Sequence, residues 1–196
     1  MSEIAKIAVF CGSSAGKNGL YAGLARELGQ LLAEENISLV YGGGAIGLMG
    51  ILADAVLEAG GHVTGVIPDF FKRKEIAHEG VQELIVVSSM HERKMRMANL
   101  ADGFIALPGG FGTMDELFEI VTWAQLDLHR KPVGVLNQAG FYDHLNAFLE
   151  HMYQEGFVRD AHFRMIQHHE QPRELLQLMR SYQPPDQSKW IRSIKA

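Results

Sequence analysis

The residues best equipped for chemistry lie in one stretch, Leu107-Pro108-Gly109-Gly110-Phe111-Gly112-Thr113-Met114-Asp115-Glu116. An apolar run stops at a proline, glycines crowd the next positions, and a helix-like pattern then opens with Thr113 and two acids. Glycines at such a junction let a ligand approach the main chain closely. The N–H groups left free at a helix start face that ligand, and the helix dipole favours an anion there. A phosphate is the guest this implies. Thr113-x-x-Glu116 also fits a capping box, in which Thr113 accepts from the amide three residues on and Glu116 reaches back. A plain helix start needs at most one glycine, however, whereas a phosphate cradle uses several and a hydroxyl. Glu119 follows Glu116 on roughly the same helix face, so two carboxylates stand at the mouth of the expected site. One of them is expected to serve chemistry or to hold sugar hydroxyls.

A second cluster, Met90-His91-Glu92-Arg93-Lys94-Met95-Arg96, opens another helix after a strand. A solvated basic face is the ordinary reading of such a run. Arg96 has Glu92 four residues back, a pair worth a few tenths of a kcal/mol. Arg93 and Lys94 have no carboxylate three or four residues away on either side. Their natural partner is an anion from elsewhere, either a bound phosphate or Glu116.

Other signals are weaker. The loop from Gly42 to Gly50 lacks the Gly-Lys-Ser/Thr ending of a P-loop. The first turn, Gly12-Ser13-Ser14-Ala15-Gly16, does not match Gly-x-Gly-x-x-Gly. Tyr41-Gly42 stands where a ribose-binding acid would end the second strand, which argues against an NAD(P) enzyme. Cys11 reads as a small buried residue at a strand end rather than a nucleophile. His168-His169 lies in a polar stretch, and no His/Cys/Asp/Glu spacing suggests a metal site.

These clusters need elements to position them. Strand patterns fall at 4–11, 37–41, 62–67, 84–87, 103–107 and 132–136. Helical patterns fall between or after them, at 19–35, 47–59, 90–100, 113–128, 142–154 and 173–181. Several strands are continuously apolar, as expected for parallel strands covered on both faces. The alternation predicts an α/β fold, a doubly wound parallel sheet in a single domain over 1–182 with an extended tail over 183–196. Trp190 and Ile191 could pin that tail to the body or to a partner. Three glycine-bearing loops follow strand ends, at Gly12, at Gly42 and at Pro108, so they are expected to share one cleft. The helix over 113–128 carries Leu117, Val121, Ala124 and Leu128 on one stripe, with Phe118 and Trp123 off it. That exceeds what one sheet face covers and suggests a subunit interface.

Composition limits the function classes. The chain has 196 residues, enough for one well-buried core. Its formal net charge of −5 argues against binding nucleic acid or an anionic membrane surface. Lys and Arg cluster only locally, at 72–74 and 93–96. The single cysteine excludes an intrachain disulfide framework and fits a reducing compartment. Met-Ser-Glu runs straight into a strand pattern without a basic leader. No apolar run nears the roughly 18 residues of a membrane span. A cytoplasmic location is expected.

Together these residues resemble the LONELY GUY family of cytokinin riboside 5′-monophosphate phosphoribohydrolases, whose members were often called possible lysine decarboxylases. The landmarks are Cys11-Gly-Ser-Ser14, Gly42 to Gly50, Met90-His-Glu-Arg-Lys94 and Pro108-Gly-Gly-Phe-Gly-Thr-Met-Asp-Glu116. The last two at this separation are specific, whereas the glycine loops alone are not. The resemblance implies a Rossmann-like homodimer whose active site draws on both subunits. It places Arg93 and Glu116 at catalytic positions, and Lys94, Glu75 and the loop Gly109, Gly110, Phe111, Gly112 and Thr113 at substrate contacts. Departures are mild: Phe111 replaces a common Tyr, Asp115 a usual Glu and Ala45 a usual Ser.

The expected activity is hydrolysis of the N-glycosidic bond of an adenosine 5′-monophosphate, plain or N6-modified, to free base and ribose 5-phosphate. That hydrolysis needs no metal or organic cofactor. The alternative is a nucleotide-binding carrier or sensor without hydrolase activity, which would leave Arg93 alongside Glu116 without a purpose. Lysine decarboxylation would need a pyridoxal-phosphate Schiff-base lysine, and Lys94 beside Arg93 is an unpersuasive setting for one.

Overall fold

The apolar runs of the sequence become neighbouring strands of one parallel sheet. The computed structural model describes residues 4–17, 19–72 and 77–185. Its strands are β1 (Lys6–Phe10), β2 (Ser38–Tyr41), β3 (Val63–Pro68), β4 (Glu83–Val87), β5 (Gly103–Ala106), β6 (Val133–Leu136) and β7 (Ile166–His169). They lie in the order β4-β3-β2-β1-β5-β6-β7, and every pairing is parallel. The helices are α1 (Gly19–Glu34), α2 (Gly47–Glu58), α3 (Asp69–Lys72), α4 (Met90–Leu100), α5 (Phe111–Gln125), α6 (Asp143–Gln154), α7 (Asp160–Phe163) and α8 (Pro172–Ser181).

Helices on both faces explain why the central strands are apolar throughout. On one face Ile7, Val9, Leu39, Tyr41 and Ile105 pack against Leu28 and Leu32 of α1, Leu52 and Val56 of α2, and Leu175 of α8. On the other, Ala8, Phe10, Phe104 and Ala106 meet Met97 of α4 and Leu117 and Ile120 of α5. Each large side chain buried in this way contributes about 1.5–3 kcal/mol. The chain winds outward from β1 to β4 and then returns to β5 on the other side of β1. Such a reversal opens a crevice beyond the carboxyl ends of the two diverging strands. All three glycine-bearing loops leave the sheet at that end.

Besides the short helices α3 and α7, three details depart from the sequence reading. The seventh strand lies in the polar stretch Ile166-Gln167-His168-His169, where no strand was expected. It is an edge strand, paired with β6 alone, and needs no continuous apolar run. Helix α5 begins at Phe111, with Gly110 as its N-cap and no capping side chain, so Thr113 is no cap. It ends at Gln125, and Asp127 then takes a positive φ of 58°, so Leu128 lies exposed beyond the helix. The buried stripe is therefore Leu117, Ile120 and Ala124, continued toward the N-terminus by Thr113 and Glu116. Among the described residues no helix is long and apolar enough to cross a membrane. Of the expected positions, Glu75, Trp190 and Ile191 fall outside the described residues.

Candidate active site

Helix α4 is started by its own local chemistry. Ser89 is the N-cap and its hydroxyl accepts from the Glu92 N–H. The Glu92 carboxylate closes back on Ser88, accepting from its N–H at 2.8 Å and its hydroxyl at 2.6 Å. This is a capping box shifted by one residue, and it is the one that the chain uses. Those hydrogen bonds, and then Arg96, hold the Glu92 carboxyl below the usual carboxylate range. Glu92, expected to pair with Arg96, thus caps its own helix.

One residue further on, Arg93 turns inward. Its Nε donates to the Val66 carbonyl of β3 at 3.2 Å, and its Nη1 donates to Glu116 Oε1 at 2.6 Å. Both side chains are buried, Arg93 at 8% and Glu116 at 7% exposure. Burial pushes the Glu116 carboxyl above its ordinary range, while the Arg93 charge pulls the other way without cancelling that effect. Nη2 lies over Gly42, directly after β2, where an added Cβ would overlap it.

Lys94 points elsewhere. Its ammonium lies 3.0 Å from Asp115 and 3.0 Å from Glu119, both on α5. Those two bonds and the surrounding charge outweigh its desolvation together and raise its pKa, although desolvation is the largest single influence. Both unpaired cations of α4 therefore find carboxylates on α5: Arg93 inside and Lys94 outside. Glu119, expected at the mouth of the phosphate site, belongs to the outer cluster.

The main-chain cradle forms at the start of α5. The first helical bond there joins the Met114 N–H to the Gly110 carbonyl, so the amides of Phe111, Gly112 and Thr113 precede the ladder. Thr113 is 3% exposed, and its Oγ1 sits where a Cβ on Gly109 would be. Gly12 ties the rim together, its N–H donating to the Pro108 carbonyl and its carbonyl accepting from the Leu48 N–H of α2. The tight turn into α2 uses Gly47 at a φ of +61°, its Cα against the Ser13 backbone.

These groups surround one cavity of about 440 Å³. Arg93, Glu116 and the amide-bearing residues Gly110, Phe111, Gly112 and Thr113 line it, with Gly12, Ser13, Gly42 and Gly44 from the other two loops. The volume is that of a small-molecule site. Lys94 does not line it. Sequence reasoning had no access to the apolar wall, made by Ile46, Met49, Ile67, Phe71 and Met90 from separate elements. Phe111 stands 97% exposed at the mouth. Cys11 reaches the cavity, but burial and the negative Glu116 push its thiol far up, so it is no thiolate nucleophile. Among the described residues no cluster of His, Cys, Asp and Glu could hold a metal ion.

The arrangement offers an anion cradle, a buried carboxylate with an elevated pKa, and a guanidinium that holds it in place. The family model described as "possible lysine decarboxylase" matches residues 49–179. A cytokinin riboside 5′-monophosphate phosphoribohydrolase of Arabidopsis thaliana is 49% identical over 93% of this chain and 86% of its own. The enzyme of that name, LOG, from Oryza sativa subsp. japonica is also 49% identical, over 93% of this chain and 76% of its own. Among solved structures, the molybdenum cofactor binding protein of Rippkaea orientalis superposes with a TM-score of 0.68 at 24% identity, covering 92% of this chain and 98% of that one. At that identity the likeness speaks to the fold alone. The fold, the glycine rim, and the extent of the match over nearly the whole chain agree: this protein belongs to the possible lysine decarboxylase family, with the LOG-type phosphoribohydrolases.

Proposed function

We propose that this chain hydrolyses the N-glycosidic bond of adenine-type nucleoside 5′-monophosphates, adding water to yield the free base and ribose 5-phosphate. The observation that carries the reading is the buried Arg93–Glu116 pair, facing the same cavity as the amides at the start of α5. The 5′-phosphate docks on the amides over 110–113 and on the Thr113 hydroxyl. The flat base lies along the apolar wall of Ile46, Met49, Ile67, Phe71 and Met90. The C1′–N bond then lies between the two, near Glu116.

Cleavage of that bond builds positive charge on the ribose ring. The Glu116 carboxylate stabilises this charge in a site shielded from water, holds the ribose hydroxyls or receives a proton from the attacking water. Its raised pKa brings it nearer to the working pH of a base. Arg93 keeps the carboxylate ionised and oriented, and its planar fork suits that task better than a lysine would. Lys94, which the family resemblance places at a substrate contact, is held by Asp115 and Glu119 and does not line the cavity, whereas Glu75 lies outside the described residues.

The names of the curated relatives support a phosphoribohydrolase rather than a carrier. A carrier would gain nothing from desolvating an acid beside its ligand. The decarboxylase description is disfavoured because no lysine lines the cavity among the described residues. Met95 on α4 and Phe118 on α5 are exposed, as is Phe111 at the start of α5. A second copy packed on that face would complete the homodimer, with the active site near the interface.

Incubation of the purified protein with AMP, followed by chromatography, should release adenine. Replacing Arg93 or Glu116 with Ala should abolish release while the circular dichroism spectrum is kept. Full activity in Glu116→Ala would remove that carboxylate from the chemistry.

A further inference from the structure

We infer that Gly42 is a positioning residue: its bare Cα is the surface against which the Arg93 guanidinium is held in place for Glu116. The inference rests on the proposed reaction only for its kinetic consequence.

The steric evidence is direct. A Cβ built on Gly42 overlaps Nη2 of Arg93 and comes within 3.2 Å of Cζ and of the Met49 sulfur. Gly42 is not among the positive-φ residues, whereas the next residue, Gly43, takes a φ of +74°. The backbone at 42 therefore admits any L residue. What excludes a side chain there is the guanidinium and not the conformation of the loop. The glycine run over 42–44 thus contains at least one glycine required by a protein side chain.

The guanidinium has no easy retreat. Nε is tied to the Val66 carbonyl, main chain of a strand buried along its length, and Nη1 to Glu116. The helix that carries Arg93 is anchored by Met97 and Ala98 in the core. A methyl group at 42 must therefore tilt the guanidinium off one of its two partners or push Met49 aside. Val66 is main chain, so the bond to Glu116 is the one that gives. Glu116 would then keep its burial while losing opposing charge, and its carboxyl would titrate higher still.

The test is Gly42→Ala. Misplacement of a charged group by about an ångström lowers kcat by roughly 10- to 100-fold. The KM for AMP should change much less, because the phosphate cradle is untouched. The acidic limb of kcat/KM should move to higher pH, a change that general loosening would not cause. Two measurements need no activity. The Arg93 Nε–Hε signal in a ¹⁵N spectrum of the free protein should shift in Gly42→Ala. In unfolding experiments Gly42→Ala should destabilise the wild-type background and have little effect on Arg93→Met, where the clash is gone. If Gly42→Ala alone fails to fold, the double variant should still fold. An unmoved Arg93 signal, an equal stability loss in both backgrounds, or a double variant that cannot fold although Arg93→Met alone does would each overturn the inference. If the wild type releases no base from AMP, the reaction is wrong, and the spectroscopic and unfolding results still decide the role of Gly42.

Discussion

The Tyr142 hydroxyl donates to the main-chain oxygen of Leu107 at 2.6 Å, across the cavity-side end of the sheet. Tyr142 is 2% exposed and sits just before α6, held by its own N–H to Asn137 Oδ1 at 2.7 Å. Leu107 is the residue from which the chain turns into Pro108 and the glycines. A side chain from beyond β6 therefore fixes the exit of β5.

Removing that hydroxyl leaves a buried carbonyl unsatisfied, which costs about 1–3 kcal/mol. Tyr142→Phe should therefore lower the melting temperature by a few degrees, on the order of 2–4 °C per kcal/mol for a chain of this size. A thermal melt at neutral pH checks it. An unchanged melting temperature would mean that water takes over the bond.

Thr113 is expected to contact the phosphate through its hydroxyl, and Gly109 leaves it room. Gly109→Ala would drive a methyl into Thr113, and Thr113→Val would delete the hydroxyl while keeping the shape. Both should raise the KM for AMP by about tenfold, the equivalent of one hydrogen bond to a charged group. Steady-state kinetics with AMP decides this. A KM within twofold of wild type in both variants would exclude Thr113 from phosphate binding.

Glu116 has a carboxyl raised by burial, so the ionised form becomes available only above the ordinary range. If the carboxylate is the working form, kcat/KM should fall on acidification with a midpoint above 4.5, the ordinary Glu value. Stability changes in the opposite sense. An acid with a raised folded-state pKa contributes stability that is fully present below its unfolded pKa and is lost as pH rises through the folded one. Unfolding free energy of the wild type, measured against Glu116→Gln, should therefore decline as pH rises through that window. A flat difference would show that Arg93 cancels the cost of burial.

Lys94 holds two carboxylates of α5 with its own side chain only 10% exposed, although Asp115 is 61% exposed and screened. Lys94→Met should cost about 1–2 kcal/mol, discounted for that exposure. Its KM for AMP should stay within about threefold of wild type, since the ammonium does not line the cavity. A large KM effect without a stability loss would restore Lys94 to the substrate.

Much of this was legible in the residues, for identifiable reasons. Buried parallel strands are apolar on both faces, so β1, β5 and β6 could be located to within about two residues. The polar β7 could not, because an edge strand carries little hydrophobic signal. Arg93 and Lys94 lack carboxylates within a helical turn, so their partners had to come from another element, and α5 supplies them. Thr113-x-x-Glu116 fits a capping box only as the alternative to a phosphate cradle, and Ser89-x-x-Glu92, which has the same pattern, is where a Ser caps a helix. The glycines before Thr113 pointed to a ligand loop, but not to Gly110 as the cap. Gly42 and the apolar wall were invisible, since their neighbours are distant in sequence and meet only through the sheet.

Gly12 grips the turn after β5 with one main-chain atom and the beginning of α2 with another. Neither of these two segments can swing outward without severing its bond to Gly12, so neither of them serves as a hinged flap. Nucleotides should meet a nearly preformed socket, and amide exchange at Gly12 and Leu48 should be slow both before and after saturation with AMP.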